Sequence, residues 1–549
     1  MYDFIIVGAG SAGCVLANRL SADPSNKVLL LEAGGRDINP LIHMPAGIGR
    51  LAGNETVNWG FLTEPEPRLN NRRLWWPRGR VLGGSSSINA MCYIRAQPED
   101  YDHWAELGSS GWSFAEVLPY FLRSQQQERG ASPLHGTDGA LTVKDLDHVN
   151  PLSAVFLDAA SDCGFPLNPD FNGETQEGFG LYQVTQRNGR RCSTSVAFLN
   201  PARNRPNLTL RTGALACKVL TDGTRATGVE FSVGRRLKRE YGAEVILCGG
   251  AINSPHLMQL SGIGPAEHLR DFGIDVVHDL PGVGENLQDH LDVCTIHQCT
   301  KPITYDFGLL REAWVGLRFF LTRSGPGTTN AAEAGGFVRS RLASDSRPDI
   351  QFHFVPAQLD DHGRNRLPGH GFTLHACNLR PKSRGRIQLG SADPAEPPSI
   401  RPDYLTHPDD MPMMLECVRI SRELFAAAPF APYRGDEIFP GSEIQSVAGL
   451  EAFVRQKAET IYHPVGTCKM GIDDEAVVDP ELRVRGMQGL RVVVEKRVKT
   501  RSRIAVANEE LLVNRGNGRA GEAEPIPFPE IRHRCEQHQA GEKDQLQHA

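Results

Sequence analysis

Phe4-Ile5-Ile6-Val7-Gly8-Ala9-Gly10-Ser11-Ala12-Gly13 stands close to the start of the chain. Four consecutive apolar residues read as a strand buried on both faces. A glycine-rich turn follows at once, and a helical pattern runs from about Cys14 to Leu20. Lys27 to Leu31 forms a second apolar strand that ends in Glu32 and Ala33. The order is strand, Gly-x-Gly-x-x-Gly, helix, strand, acid. In that order Gly8 makes the tight turn, Gly10 admits a pyrophosphate close to the backbone, and Gly13 lets helix and strand pack. The helix N-terminus offers unpaired N–H groups and a partial positive charge to the phosphates. Glu32 is placed to accept hydrogen bonds from a ribose. Gly8, Ala9, Gly10, Ser11, Ala12, Gly13, Glu32 and Ala33 are therefore the candidate cofactor-binding residues of this segment. The bland alternative is a glycine-rich turn without ligand, and the motif alone does not separate FAD from NAD.

The rest of the composition narrows the classes. The chain has 549 residues, 40% hydrophobic and 23% charged, enough for more than one core. A net charge of -6 leaves no basic footprint, so no nucleic-acid partner is expected. The twelve cysteines include no Cys-x-x-Cys pair and read as reduced thiols in a reducing compartment. The amino-terminal residues enter a strand pattern directly, without a basic region and cleavable apolar segment. No apolar run reaches the ~20 residues that span a bilayer. The expectation is a cytoplasmic protein whose membrane contact, if any, is peripheral on the inner face of the cell membrane.

Two further stretches carry chemistry. Pro77 to Asp102 contains Gly83-Gly84-Ser85-Ser86-Ser87, which offers close backbone approach and small donors, followed by Ile88 and Asn89. Val245-Ile246-Leu247 leads into CGGAINSPHLMQLSGIG, from Cys248 to Gly264: a buried strand, a small-residue turn and a helix start, with Pro255 suited to the first helical turn. These two stretches resemble the two signatures of the glucose-methanol-choline (GMC) oxidoreductase family. LPGVGENLQDH (Leu280 to His290) and TIYHPVGTCKMG (Thr460 to Gly471) resemble further family stretches. The resemblance covers the chain to about Val493. It implies bound FAD, with Gly83, Gly84, Ser85 and Asn89 added to the cofactor-binding candidates. It also implies FAD-dependent oxidation of a primary alcohol to the aldehyde, with electrons passed to a quinone or another nonoxygen acceptor. Within the family the chain looks closest to bacterial acceptor-linked alcohol dehydrogenases. Choline, sorbose or polyethylene glycol dehydrogenase and an oxygen-using oxidase are the alternatives. Members with a histidyl–FAD bond carry histidine where this chain has Ile88, so the flavin is expected to be noncovalent.

His463 precedes a proline that biases it toward an extended backbone, and Gly466 permits a bend. From the residues alone it is either a catalytic imidazole or a histidine at a strand end. By resemblance it is the family's active-site histidine. A neutral imidazole suits the removal of a hydroxyl proton near neutral pH. Cys468 is near in sequence, but no second pair stands at metal-ligand spacing, so no metal is expected. His353 and His375 lie on alternating, strand-like runs and read as sheet residues. Glu333 barely favours choline, because relatives that act on other alcohols share its stretch.

The expected fold is α/β: a Rossmann-like FAD-binding domain with a discontinuous second domain on an antiparallel sheet. The first would take residues 1–146, 185–293 and 471–494, the second 150–184 and 294–470. Gly371–Leu379 and Arg386–Leu389 flank RPKSRG and read as a hairpin. Glu312–Leu321 is an amphipathic helix candidate through Trp314, Leu317 and Leu321, a face read either as core packing or as a lid or membrane-facing element. Beyond Val493 the family pattern is lost. Val494 stands where the family has aspartate, and Ala507, with Asn508 beside it, falls about where the family's second catalytic residue lies. Residues 495–549 read as a divergent, partly disordered tail. A catalytically impaired flavoprotein is accordingly the rival of the active enzyme.

Overall fold

The computed structural model describes residues 1–51, 53–365 and 367–493. The expectations for Val494, Ala507, Asn508 and the tail lie outside the described residues. In chain order the elements that position the site begin with β1 (Tyr2–Val7), α1 (Ser11–Leu20), β2 (Val28–Glu32), the short α2 (Pro40–His43) and β3 (Gly178–Leu181). They continue with β4 (Leu208–Thr212), β5 (Ala214–Asp222), β6 (Arg225–Val233), β7 (Arg236–Leu247), α3 (Gly250–Leu260) and β8 (Leu291–Cys299). Then come α4 (Leu309–Thr322), β9 (Ala334–Val338), β10 (Ile350–Val355), β11 (Gly371–Asn378), α5 (Asp410–Ala426), β12 (Arg434–Phe439), β13 (Glu459–Thr460) and β14 (Leu490–Val492).

The first sheet has seven strands in the order β4-β2-β1-β7-β6-β5, with β14 also on β7. β4, β2, β1, β7 and β14 run parallel. Ile5, Ile6 and Leu29 to Leu31 are buried, as the uninterrupted apolar runs require of a sheet covered on both faces. β7 serves twice. Its first half pairs antiparallel with β6, and its second half pairs parallel with β1. Val7 lies level with both Leu31 and Leu247, so β1, β2 and β7 end together. The chain leaves β1 toward β2 on one side while β7 occupies the other. That is a switch point, where open α/β sheets bind ligands.

The second sheet also has seven strands, in the order β12-β8-β11-β10-β9-β3, with β13 on β8. Every pair in it is antiparallel. One face carries Phe352, Phe354, Phe372 and Leu374, over which α5 packs Val418, Leu424 and Phe425. The opposite face carries Gln351, His353, Thr373 and His375. The expected hairpin of Gly371–Leu379 with Arg386–Leu389 does not form. β11 has both edges filled by β8 and β10, so Arg386–Gln388 pairs with Ser399–Arg401 instead.

Candidate functional site

Three turns meet at the switch point. Gly8 (φ +102°) lies against the turn after β7: a Cβ there would stand 2.6 Å from the Cys248 carbonyl oxygen. A Cβ on Gly13 would stand 1.9 Å from the Gly8 carbonyl oxygen, which is the close packing of helix on strand. The third turn comes from the serine-rich loop. Gly84 (φ +53°) packs on Gly10, where an added Cβ would sit 2.7 Å from the Gly10 Cα, and the Gly83 N–H donates to the Ala9 carbonyl at 2.8 Å. Gly10 differs from its neighbours. A Cβ on it would meet only the Cys248 oxygen, at 3.9 Å, so protein packing does not demand glycine there.

A cavity of about 680 Å³ opens over these turns. Its wall includes Gly8, Gly10, Ser11, Ala12, Glu32, Ala33, Gly84 and Ser85. Ala9 and Gly13 lie behind the wall, Ala9 fully buried with its N–H donating to Glu32 Oε2 at 2.9 Å. The other Glu32 oxygen accepts from the Gly34 N–H at 2.8 Å. Burial lifts the Glu32 carboxyl from 4.5 to about 7, against the opposing pull of those two N–H donors and of Arg80. Asn89 is not on the wall. Its side-chain and backbone oxygens accept from the Arg191 guanidinium at 2.9 and 2.6 Å, so it braces the serine-rich loop from behind.

The cavity fits a dinucleotide. Gly10 leaves room beside the backbone, and the first turn of α1 has no side-chain cap to use its N–H groups. Ser254 and His256 of α3 also line the cavity, and their Oγ and Nε2 are buried without a protein hydrogen-bond partner. Burial drops the His256 pKa to about 4, which keeps the ring neutral. Both residues lie within the quoted Cys248–Gly264 stretch, but a sequence does not tell which helix face meets the cavity.

The helix α3 departs from expectation in one respect. It begins at Gly250, so Pro255 lies inside it rather than in the first turn. Proline has no N–H for the carbonyl four residues earlier, that of Ala251. The Thr467 hydroxyl donates to that carbonyl at 2.6 Å. The defect in α3 thus becomes the attachment point of the segment that carries His463.

That segment pairs antiparallel with the other quoted stretch. Thr460 faces Leu291, the Ile461 N–H donates to the His290 carbonyl at 3.1 Å, and Gln288 bridges Val465. Gly466 (φ +100°) turns the chain where a Cβ would lie 2.2 Å from the Asn286 oxygen. Tyr462 holds φ +72°, a strained value for a bulky residue of the kind found near functional sites. His463 itself is half buried, one residue from Pro464, which lies in the cavity wall. Its backbone N–H donates to Asp289 at 2.8 Å, and its Nδ1 lies 3.2 Å from Nδ1 of His290. At that distance one imidazole donates and the other accepts. His290 was not singled out in the sequence, although the quoted stretch ends on it.

Other polar groups serve the fold. Glu333 is fully buried and accepts from the Asn150 N–H (2.7 Å), Ser153 (2.8 Å), Thr329 (2.6 Å) and Tyr305 hydroxyls. His375 pairs with Asp292 at 2.6 Å and lies 3.1 Å from the Cys294 sulfur.

A switch-point crevice with a histidine pair held beside its wall defines a dinucleotide-dependent oxidoreductase of two sheets. The chain belongs to the GMC oxidoreductase family: the models of its amino-terminal and carboxy-terminal parts match residues 2–292 and 381–493. An alcohol dehydrogenase [acceptor] of Pseudomonas putida is 50% identical over 501 residues, 90% of either chain. An oxygen-dependent choline dehydrogenase of Brucella canis is 47% identical over 495 residues, 89% of this chain and 90% of the relative. Among solved structures, pyridoxine 4-oxidase from Mesorbium loti superposes with a TM-score of 0.85 at 29% identity, over 94% of this chain and 99% of that one.

Proposed function

We propose that this protein is an FAD-dependent dehydrogenase that oxidises an uncharged primary alcohol to its aldehyde and passes the electrons to a nonoxygen acceptor. The carrying observation is the dinucleotide-sized cavity beside which the paired stretches hold His463. Gly10 and the first turn of α1 would hold the pyrophosphate, and Glu32 a ribose hydroxyl. Ile88 stands where family members with a histidyl linkage carry histidine, which supports a noncovalent cofactor. Bound FAD supplies the hydride acceptor. His463 takes the hydroxyl proton at an imidazole nitrogen, while Asp289 fixes its backbone and His290 orients its ring. Thr467 ties the same segment to α3.

An uncharged substrate is favoured over choline by Glu333. Its carboxylate is fully buried among four donors of the chain itself and does not line the cavity, so no face of it is open to a quaternary ammonium group. The acceptor-linked activity rests on the 50% identical Pseudomonas relative.

The test is a purified preparation assayed for flavin absorbance, alcohol-dependent dye reduction and oxygen uptake. The expected result is bound flavin, dye reduction and little oxygen uptake. His463→Ala should lower turnover by about 10²–10⁴-fold while flavin stays bound. Flavin without turnover on any alcohol would return the impaired-flavoprotein reading, and rapid oxygen uptake the oxidase.

A further inference from the structure

Helix α4 is apolar on the side turned away from the protein. At about 100° per residue, Val315 and Phe319 point inward, where they pack with Met44 and Phe307. Leu310, Leu317 and Leu321 point the opposite way, flanked by Leu309, Phe320 and Trp314. These six side chains are between 54% and 90% exposed. A helix apolar on both faces is normally buried, and a soluble monomer rarely leaves such a patch in water. One edge of the stripe is cationic. Arg311 and Arg318 are exposed there, and Arg323 follows the helix end. Arg318 sits 5.4 Å from the Trp314 ring, and Arg311 sits 4.3 Å from the Phe307 ring. The acidic residue of the helix, Glu312, is engaged by Arg50 at 2.7 Å. Ile38, on the loop before α2, is also 80% exposed.

We propose that α4 is a membrane-docking element that lies flat in the surface of an anionic bilayer, its leucines and aromatics among the acyl chains and its arginines at the lipid phosphates. At 1.5 Å per residue its fourteen residues extend roughly 21 Å, too short to cross a ~30 Å hydrocarbon layer, so the helix lies along the surface. Among the described residues no helix is long and apolar enough to span. An arginine-edged apolar stripe with tryptophan at the boundary suits a lipid interface. A second copy suits it less. An antiparallel face-to-face pair of such helices would oppose their arginine edges, with Glu312 already taken by Arg50. The base of α4 also adjoins the site. Phe319 and Met44 pack together, α2 precedes Met44, and the Ile42 carbonyl in α2 accepts from Arg191, the side chain that braces Asn89. Lipid docking does not depend on the redox chemistry.

The experiment is co-sedimentation of the full-length, flavin-loaded protein with vesicles of phosphatidylcholine alone or mixed with phosphatidylglycerol. The parent should sediment with the mixed vesicles and less with the neutral ones. Leu310→Asp/Leu321→Asp should lose on the order of tenfold or more in affinity, and Arg311→Glu/Arg318→Glu should lose the preference for phosphatidylglycerol. Melting temperature and flavin content should match the parent, because 310 and 321 are 90% and 74% exposed. A parent that stays in the supernatant with both vesicles, or an aspartate variant that binds as well as the parent, overturns the proposal. Light scattering that finds a dimer converted to monomer by the aspartate pair would give the face to a second copy instead.

Discussion

At the scale of single residues, two buried carboxylates differ in what they face. Glu32 faces the cavity, and burial holds its pKa at about 7, above its ordinary 4.5. The folded protein therefore keeps this proton through the window from about 4.5 to 7. The associated stability of the cofactor-free protein is present below that window and is lost as pH rises through it. With Glu32 in the proposed role of ribose acceptor, cofactor binding runs the other way, because an ionised carboxylate accepts a hydroxyl more strongly. FAD affinity of the apoprotein should rise with pH through about 7, read by quenching of flavin fluorescence, and Glu32→Gln should be weaker and flat with pH. Glu333 faces inward to its four donors. Glu333→Gln should lower stability by about 1–3 kcal/mol, seen in the melting temperature, since charge-assisted hydrogen bonds are lost and the hydroxyls at one oxygen must turn from donating to accepting. It should leave the ratio of choline to alkanol turnover unchanged. A selective loss of choline turnover would mean that the carboxylate does meet a cation.

At the scale of elements, the glycines of the first turn separate folding from binding. Gly13 is required by the Gly8 carbonyl, whereas Gly10 faces open space. Gly13→Ala should lower the melting temperature and the yield of folded protein. Gly10→Val should leave the apoprotein's melting temperature near the parent value and abolish flavin retention, measured as flavin absorbance per chain. The linkage of α3 to the His463 segment makes a second case. Thr467→Val leaves the Ala251 carbonyl unsatisfied within the helix, a cost of about 1–3 kcal/mol. Turnover should fall with flavin still bound, and Thr467→Ser should restore it. A purely structural threonine would lower stability in Thr467→Val without moving turnover per flavin. The strand, turn and helix around Gly8 were legible because every residue from Phe4 to Gly13 obeys local rules. The failed hairpin at Arg386 was not, because two nonlocal strands had already filled the edges of β11.

At the scale of the whole molecule, two sheets divide the work. The mostly parallel sheet ends three strands at one level and opens a crevice there. The antiparallel sheet carries on β8 and β13 the paired stretches that hold His463 and His290. Neither sheet alone holds both the cavity and the histidine pair. α4 lies outside this division, with two buried residues as its anchor and an apolar face left outward. Its amphipathic pattern was plain in the sequence, but periodicity shows only that a face is apolar, and only the packing of Val315 and Phe319 shows which face the protein keeps for itself.

By itself the sequence determined the glycine-rich turn, the α/β class and the family, and it singled out the segment around His463. Those depend on short-range order: which residue can take a positive φ, which run of apolar residues is long enough for a buried strand, which spacing places a helix start after a turn. Only the tertiary structure decided that Gly84 closes on Gly10, that Ser254 and His256 line the cavity, that His290 is the partner of His463 and that Glu333 is buried among four donors. Nearly all of these depend on residues tens to hundreds of positions apart. They exist only once sheet register has brought the strand ends together.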